Sequence, residues 1–250
     1  IARCQAMFLW ARAMNEDGQV PFQRPTTKHR SKLESAVPLM MSMVVRQITR
    51  DEIRRNPRAK AAMDAEWDHH IRLGTWNTSG VREWRHLVRE VNEAKRRIHV
   101  GRIRGICGEK NSELDESDPR RKCKGRYVFG GNDVKDQNSE TAVFAELSSS
   151  PAMIEATRLN DWYGALPGHT QEMADAVRAY TQARPKGVET WVRLPKDRWP
   201  AEWHGKYTDP VVPLVLALYG HPDAGGYWEA HCHEKLLNAS FEVIDRCGWT

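Results

Sequence analysis

Two stretches of alternating apolar and polar residues, separated by a polar loop, constrain the fold of this chain more than any other feature. The first is RIHVGRIRGIC (97–107) and the second is KGRYVFGGNDV (124–134). Alternation with a period of two is typical of β-strands, because successive side chains of a strand point to opposite faces. The intervening GEKNSELDESDPRRKC is polar and rich in turn residues. The sequence therefore predicts a long antiparallel β-hairpin.

Helical patterns precede this hairpin. Thr49 and Glu52 have the spacing of a capping box, and Asn56 followed by Pro57 is a second helix start. After Pro57, apolar residues recur every four positions. This spacing predicts one buried helix face that consists of Ala59, Met63, Trp67 and Ile71, with His69 and His70 at its solvated edge. The segment 81–97 reads as another helix, with Trp84, Leu87, Val88 and Val91 facing inward.

Shorter elements follow the hairpin. A helix is predicted from Ser150 and Pro151, and short strands are predicted in HTQEMAD (169–175) and VETWVRLP (188–195). PVVPLVLALYG (210–220) is either a buried strand or the entry to a helix, and its periodicity favours neither. The last predicted helix, DAGGYWEAHCHEKLLNASF (223–241), places Trp228, Cys232 and Leu236 on one face. The mixture of elements predicts an α+β fold.

Charge and cysteine content narrow the class of protein. The 250 residues include 38 Lys and Arg against 33 Asp and Glu, a mild basic surplus. The five cysteines are scattered without a CxxC motif, which predicts reduced thiols in an intracellular protein, cytoplasmic or nuclear. No apolar run approaches membrane-spanning length, so no membrane partner is expected. The chain starts without Met and without the pattern of a signal peptide, which favours a piece of a longer protein.

Four blocks, taken in order, resemble the reverse transcriptase of copia-type LTR retrotransposons. NPRAKAAMDAEWDHHIRLGTW (56–76) resembles the opening fingers helix of the family, and KCKGRYVFGGNDVKDQN (122–138) resembles its basic strand. QEMADAVRAYTQARPKGVETWVRLP (171–195) resembles the first palm motif, and LALYGHPDAGGYW (216–228) resembles the Leu-Tyr-Gly block. The order and spacing of the blocks carry the resemblance, which covers the chain from about Asn56 onward. The segment GHPDAG resembles the corresponding segment of diverged copia-type polyproteins of protists.

The resemblance implies the fingers and a partial palm of a right-hand polymerase, truncated at its C-terminus. On this hypothesis residues 1–48 are a linker or N-terminal extension, 49–165 a fingers-like region and 166–250 a partial palm. The implied activity is RNA-directed DNA polymerisation, a nucleotidyl transfer. Its partners would be an RNA template, an RNA–DNA duplex and deoxynucleotides.

The same resemblance assigns roles to individual residues. Asp175 becomes a catalytic metal ligand for Mg²⁺ in the complete enzyme, because two-metal sites hold the ions with carboxylates. Ala176, through its backbone carbonyl, and Tyr180, under the sugar, become nucleotide-binding residues. Lys124 and Arg126 alternate on one face of their strand, so both could meet a triphosphate on the side that faces Asp175.

The loop before that strand adds further cations. Arg120, Arg121 and Lys122 are predicted to contact nucleic acid. Farther upstream, i, i+4 spacing links Arg46, Arg50, Arg54 and Arg58, which form either a phosphate-binding stripe or a solvated surface. His231 and His233 invite a zinc interpretation, but two residues apart on a helix they would point to different sides.

Three departures from the family limit the expected activity. Gly130 stands where the family's basic strand commonly has a second Arg. Asp223 stands where the family usually has Gln, and the adjacent Asp-Asp pair that completes the family's metal site does not occur in these 250 residues. The chain alone is therefore expected to be inactive, with a protein partner covering the truncated palm. The alternative is a non-catalytic nucleic-acid-binding or structural subunit derived from such an element, or a decayed element without function.

Overall fold

The computed structural model describes residues 45–144, 154–168 and 175–240. The chain divides into two compact units, Val44–Lys235 and a second unit that joins Ile1–Met43 to Leu236–Thr250. Of the second unit only residues 236–240 are described. Every described strand belongs to the unit Val44–Lys235. Residues 1–44 of the predicted N-terminal extension, the helix start at Ser150 and Pro151 and all but the last residue of the strand predicted over 169–175 lie outside the described residues.

A mixed β-sheet forms the centre of the described part of the chain. Its strands are β1 (Val45–Ile48), β2 (Arg82–Glu83), β3 (Ile98–Lys110), β4 (Lys122–Phe129), β5 (Lys135–Asp136), β6 (Glu189–Arg193) and β7 (Pro210–Pro213). The sheet order is β1-β3-β6-β7-β2, and β4 and β5 also pair with β3. β3 and β6 run parallel, which requires a long crossover connection. The prediction of a mixed α and β fold is confirmed.

The predicted hairpin is present. β3 and β4 pair antiparallel from Ile103 opposite Phe129 to Lys110 opposite Lys122. Residues 130–134 do not continue the second strand as the alternation predicted, because the chain turns in a 3-10 helix at Gly131–Asp133. Residues 45–48, at the end of the predicted N-terminal extension, pair with β3 as the strand β1.

Five helices are described: α1 (Arg50–Arg55), α2 (Pro57–Leu73), α3 (Trp84–Glu93), α4 (Ile154–Gly164) and α5 (Ala224–Asn238). The predicted caps are confirmed. The Thr49 hydroxyl accepts the amide of Glu52, and the Asn56 side chain accepts the amides of Arg58 and Ala59. These side chains bind amides that a helix start leaves without intrahelical partners.

Helix α2 covers the inner face of the hairpin. Ala59, Met63 and Trp67 are buried as predicted, but Ile71 is 44% exposed and His70 is buried in its place. Positions spaced by four drift by about 40° per step on a helix of 3.6 residues per turn, so the fourth member leaves the buried face. The prediction of a solvated His70 is likewise wrong, because its ring stacks on Trp76 and its Nδ1 lies 3.0 Å from the Thr75 hydroxyl.

The remaining helices pack less extensively. α3 buries Leu87 and Val91 against Ile98 and Trp191, as predicted for its inward face. On α5 the predicted inward face fails at Leu236, which is 45% exposed, while Trp228 and Cys232 are half-buried. Neighbouring segments enclose only the small residues of its first turn, Ala224 and Gly225. The undecided segment 210–220 forms a strand over its first four residues only.

Candidate functional site

The outward face of the β3–β4 hairpin is strongly basic. Odd-numbered residues such as Ile103, Cys107, Tyr127 and Phe129 point inward and are buried. Even-numbered residues point outward, and this outward face carries Arg102, Arg104, Lys110, Lys122, Lys124 and Arg126. The other outward positions are Ile106, Gly108 and Val128, so the face contains no acidic residue.

The six cations of this outward face have no acidic neighbour within ion-pair distance among the described residues. Burial and the neighbouring charges of Arg126 and Lys110 lower the pKa of Lys124, and only Glu66 opposes this change. Like charges held close together without counter-ions favour the binding of an anion, since an anion relieves their repulsion.

Tyr219 lies beside β4, next to one cation of this face. The guanidinium of Arg126 lies 6.0 Å from the centroid of the Tyr219 ring, and the ring of Tyr180 packs on the same tyrosine at 4.5 Å. The structure therefore brings two of the predicted nucleotide-binding residues, Arg126 and Tyr180, into contact with one aromatic ring. A guanidinium beside stacked aromatic rings is suited to binding a phosphate next to a base.

Backbone contacts fix the position of Tyr219. Its carbonyl accepts the amide of Phe129 at 2.7 Å, so the segment before α5 lies against the end of β4. Gly220 has a φ of +88°, and a Cβ on it would lie 2.2 Å from the Phe129 carbonyl oxygen. A Cβ on Gly131 would lie 2.1 Å from the carbonyl oxygen of Gly220. The close approach of these two segments therefore requires glycine at both positions.

The 175–180 turn is joined to the same region. The amide of Ala217 donates to the carbonyl of Ala183, which places the 3-10 turn containing Tyr180 beside Tyr219. The guanidinium of Arg178 pairs with Glu66 of α2 at 3.0 Å. Through Glu66 and Arg178 the turn also comes within electrostatic range of Lys124.

Asp175 and Ala176 lie at the start of this turn. Both are exposed, and Asp175 is not part of a strand. Among the described residues no group of three or more His, Cys, Asp or Glu side chains could hold a metal ion. The metal-ligand role of Asp175 and the role of the Ala176 carbonyl remain predictions.

The cations of the β3–β4 loop differ in their surroundings. Arg121 is largely buried and pairs with the buried carboxylate of Glu109 at 2.8 Å. Arg120 pairs with Asp118 at 2.8 Å and is exposed. Lys122 is exposed on the outward face. Lys122 is therefore the best placed of these three to contact a phosphate.

The four arginines spaced by four residues do not form one stripe, because β1, α1 and α2 separate them. Arg46 pairs with Glu52 and Glu109, and Arg54 pairs with Asp51. Arg58 donates to the carbonyls of Glu116 and Arg121 and so holds the β3–β4 loop. Three of the four therefore have structural partners.

Some residues of the outward face were missed from the sequence. Arg102, Arg104 and Lys110 alternate in phase on β3, a signal that the same period-two argument used for Lys124 and Arg126 could have found. Tyr219 gives no such signal, because its contacts with Arg126 and Tyr180 join three distant segments. Asp223 lies elsewhere, in a cleft beside α5, where its amide donates to Nδ1 of His221.

No protein-family model, curated protein or solved structure matches this chain. Within the described ranges, none of the helices combines the length and the apolar character that a membrane crossing requires.

Proposed function

We propose that this chain is the fingers and part of the palm of a copia-type RNA-directed DNA polymerase, and that its outward hairpin face binds nucleic acid and nucleoside triphosphates. The observation that carries the proposal is the set of six cations without acidic partners, one of which, Arg126, adjoins the Tyr219–Tyr180 pair. A row of cations along a hairpin suits the regularly spaced charges of a phosphate backbone. The aromatic stack beside Arg126 suits a base or sugar.

A second function shares this face. A non-catalytic nucleic-acid-binding subunit needs the cations and the aromatic stack but no metal site. The specific observation in its favour is that the six cations and the stacked tyrosines all lie within residues 102–219. In this alternative the partner is still RNA or an RNA–DNA duplex, and the chain contributes binding without chemistry.

The salt dependence of binding tests the face that both functions share. The association constant K for a single-stranded 20-nucleotide oligomer is measured between roughly 50 and 200 mM salt. For a single strand, log K should fall by roughly 0.7 for each phosphate contact when the salt concentration rises tenfold. Replacing Arg102, Arg104, Lys122 and Lys124 together with Gln should flatten this slope by about 2 to 3.

The matched control removes the same charge elsewhere. Lys60, Arg72, Arg85 and Arg89 are exposed or half-buried on α2 and α3, and their joint replacement with Gln should leave most of the slope unchanged. Equal effects of the two sets would mean that only net charge matters, and the proposal would fail.

The aromatic stack has its own test. Tyr219→Ala should weaken deoxynucleoside triphosphate binding by about tenfold, the effect of one lost stacking contact of about 1 to 3 kcal/mol. Tyr219→Phe keeps the ring and should bind within about twofold of the unaltered chain. A Tyr219→Ala chain that binds triphosphate normally would remove the stack from the proposed site.

A further inference from the structure

A cleft of about 630 Å³ lies on a different part of the molecule. Its walls come from the start of β3, the residues after β5, the loop that enters β6 and the first turns of α5. Concave sites of this size are typical of small-molecule binding. No residue of the outward hairpin face belongs to its lining.

The floor of the cleft is aromatic. His99 and His221 are only 3% and 4% exposed, and the ring of Phe144 contacts both, with centroid distances of 5.0 and 5.5 Å. The ring of Tyr227 lies 5.6 Å from that of His221. Four rings from separate segments thus form a surface on which a planar group can pack.

The histidines of the floor carry hydrogen-bonding atoms without partners. Nδ1 of His221 accepts the amide of Asp223, so the neutral ring carries its proton on Nε2. Nε2 of His221 and Nε2 of His99 have no hydrogen-bond partner among the described residues. Buried polar atoms are normally paired, so these two unpaired nitrogens distinguish the floor of the cleft from an ordinary part of the core.

The mouth of the cleft is cationic on one side. Lys186 and Arg97 are exposed there, and neither forms an ion pair with a described residue. The carboxylates of Asp223 and Glu229 line the α5 side of the cleft, so the positive charge lies on the side of Lys186 and Arg97. An anionic group would therefore bind at the mouth while a ring lies on the floor.

We propose that this cleft binds a planar heteroaromatic ring that carries a phosphate, with the ring against His99, Phe144, His221 and Tyr227 and the phosphate at Lys186 and Arg97. A free mononucleotide and the 5′-terminal nucleotide of a strand share this chemistry. The site goes beyond the proposed function because it uses none of the outward-face residues.

Gly226 provides a way to fill the cleft without disturbing the fold. It lines the cleft on α5, and a Cβ built on it meets no atom within 4 Å. Gly226→Leu should therefore occupy the binding space, and Gly226→Ala should leave most of it open. Alanine and leucine are both better helix formers than glycine, so neither replacement should unfold α5.

The experiment measures the binding of adenosine 5′-monophosphate and of adenosine by calorimetry. The monophosphate should bind the unaltered chain and the Gly226→Ala chain alike, and should bind the Gly226→Leu chain at least about tenfold more weakly. Lys186→Ala with Arg97→Ala should reduce the affinity for the monophosphate to that for adenosine. Circular dichroism and the thermal midpoint check that each variant is folded.

Two further measurements test whether net charge alone explains the binding and identify the source of the ligand. Lys60→Gln with Arg72→Gln removes two exposed charges of α2, outside the cleft and the outward face, and should leave monophosphate binding unchanged. Loss of binding in that variant would mean that net charge alone holds the ligand, and would overturn the cleft proposal. No binding to the unaltered chain, or equal binding to the Gly226→Leu chain, would also overturn it. If a 5′-phosphorylated oligonucleotide competes with the monophosphate and its unphosphorylated form does not, the natural ligand is the end of a strand. If the phosphorylated oligonucleotide does not compete, the ligand is the free mononucleotide.

Discussion

Glu66 of helix α2 forms an ion pair with the 175–180 turn, since its Oε2 lies 3.0 Å from Nη2 of Arg178. Its other oxygen, Oε1, lies 3.6 Å from Nε2 of His70, too far for a hydrogen bond. The first contact ties the 175–180 turn to the helix that covers the hairpin. The second adjoins the buried contacts of His70 with Thr75 and Trp76. One carboxylate thus connects the predicted palm turn to the predicted fingers helix.

Arg178 combines this ion pair with an unfavourable backbone. Its φ of 55° lies in the left-handed region, which costs a residue with a side chain roughly 1 kcal/mol or more. Arg178→Ala loses the ion pair and keeps the strain, whereas Arg178→Gly loses the ion pair and relieves it. The glycine variant should therefore be more stable than the alanine variant by about 1 kcal/mol in urea unfolding. An alanine variant of equal or greater stability would show that the turn does not adopt this conformation.

Gly220 should tolerate no side chain. Gly220→Ala combines a positive φ with a Cβ only 2.2 Å from a backbone oxygen, so the segment must move away from β4. We expect a loss of about 3 kcal/mol in urea unfolding together with weaker triphosphate binding. Gly205 also has a positive φ, of +80°, but open space around it. Gly205→Ala should cost only about 1 kcal/mol and leave binding intact; similar losses for both variants would contradict the close approach at Gly220.

Glu109 should stabilise the base of the hairpin. It is 4% exposed, and hydrogen bonds from Arg121 and then Arg46 lower its pKa to about 2. Glu109→Gln leaves Arg121 without its carboxylate and Arg46 with Glu52 as its remaining acidic partner, and should cost about 2 to 3 kcal/mol in urea unfolding. Asp118→Asn removes the exposed pair with Arg120 and should change stability much less than Glu109→Gln does. Equal losses of stability in the two variants would mean that the buried ion pairs of Glu109 stabilise the protein no more than an exposed pair does.

Three buried histidines should make the protein less stable in mild acid. Burial lowers the pKa of His70 and of His221 to about 4 and also lowers the pKa of His99. The folded protein therefore binds fewer protons than the unfolded chain, and stability is lost as the pH falls from about 6.5 towards 4. The lowered pKa of Glu109 adds a loss only below about 4.5, as that carboxylate becomes protonated in the unfolded chain.

The window between about pH 6 and about pH 4.5 isolates the histidines. His70 and His221 should each contribute a slope of up to about 1.4 kcal/mol per pH unit in the free energy of unfolding, and His99 should add to it in the same direction. His70→Gln should remove the His70 contribution to this slope, and His86→Gln, at an exposed position, is the matched control. A slope that does not respond to His70→Gln would mean that His70 is not buried in the neutral form.

Polymerase chemistry should require more than these 250 residues. With Mg²⁺, a primed template and all four deoxynucleotides, the chain should show no primer extension above background, because one carboxylate does not hold two metal ions in place. A longer chain that includes an Asp-Asp hairpin should extend primers, and Asp175→Asn should abolish that activity. Extension by the 250 residues alone, unaffected by Asp175→Asn, would contradict the assignment of this turn. A longer chain that binds nucleic acid without extending primers would support the non-catalytic alternative.

Local signals in the sequence were sufficient for the hairpin and the helix starts. Alternation over 97–107 and 124–134 predicted β3 and β4, and the side chains of Thr49 and Asn56 predicted the beginnings of α1 and α2. These features depend on contacts between residues a few positions apart, or on a period of two along one strand. The same alternation placed Lys124 and Arg126 on one exposed face.

Contacts between distant segments decided the rest. The inward position of His70, the partners of Arg121 and the meeting of Arg126, Tyr219 and Tyr180 each join segments that the sequence shows only separately. The cleft around His99 and His221 likewise draws its walls from four separate stretches. Periodicity reports which face of an element is buried, but the partner that buries it depends on how the chain closes its loops. Only the tertiary structure shows which distant side chains then come into contact.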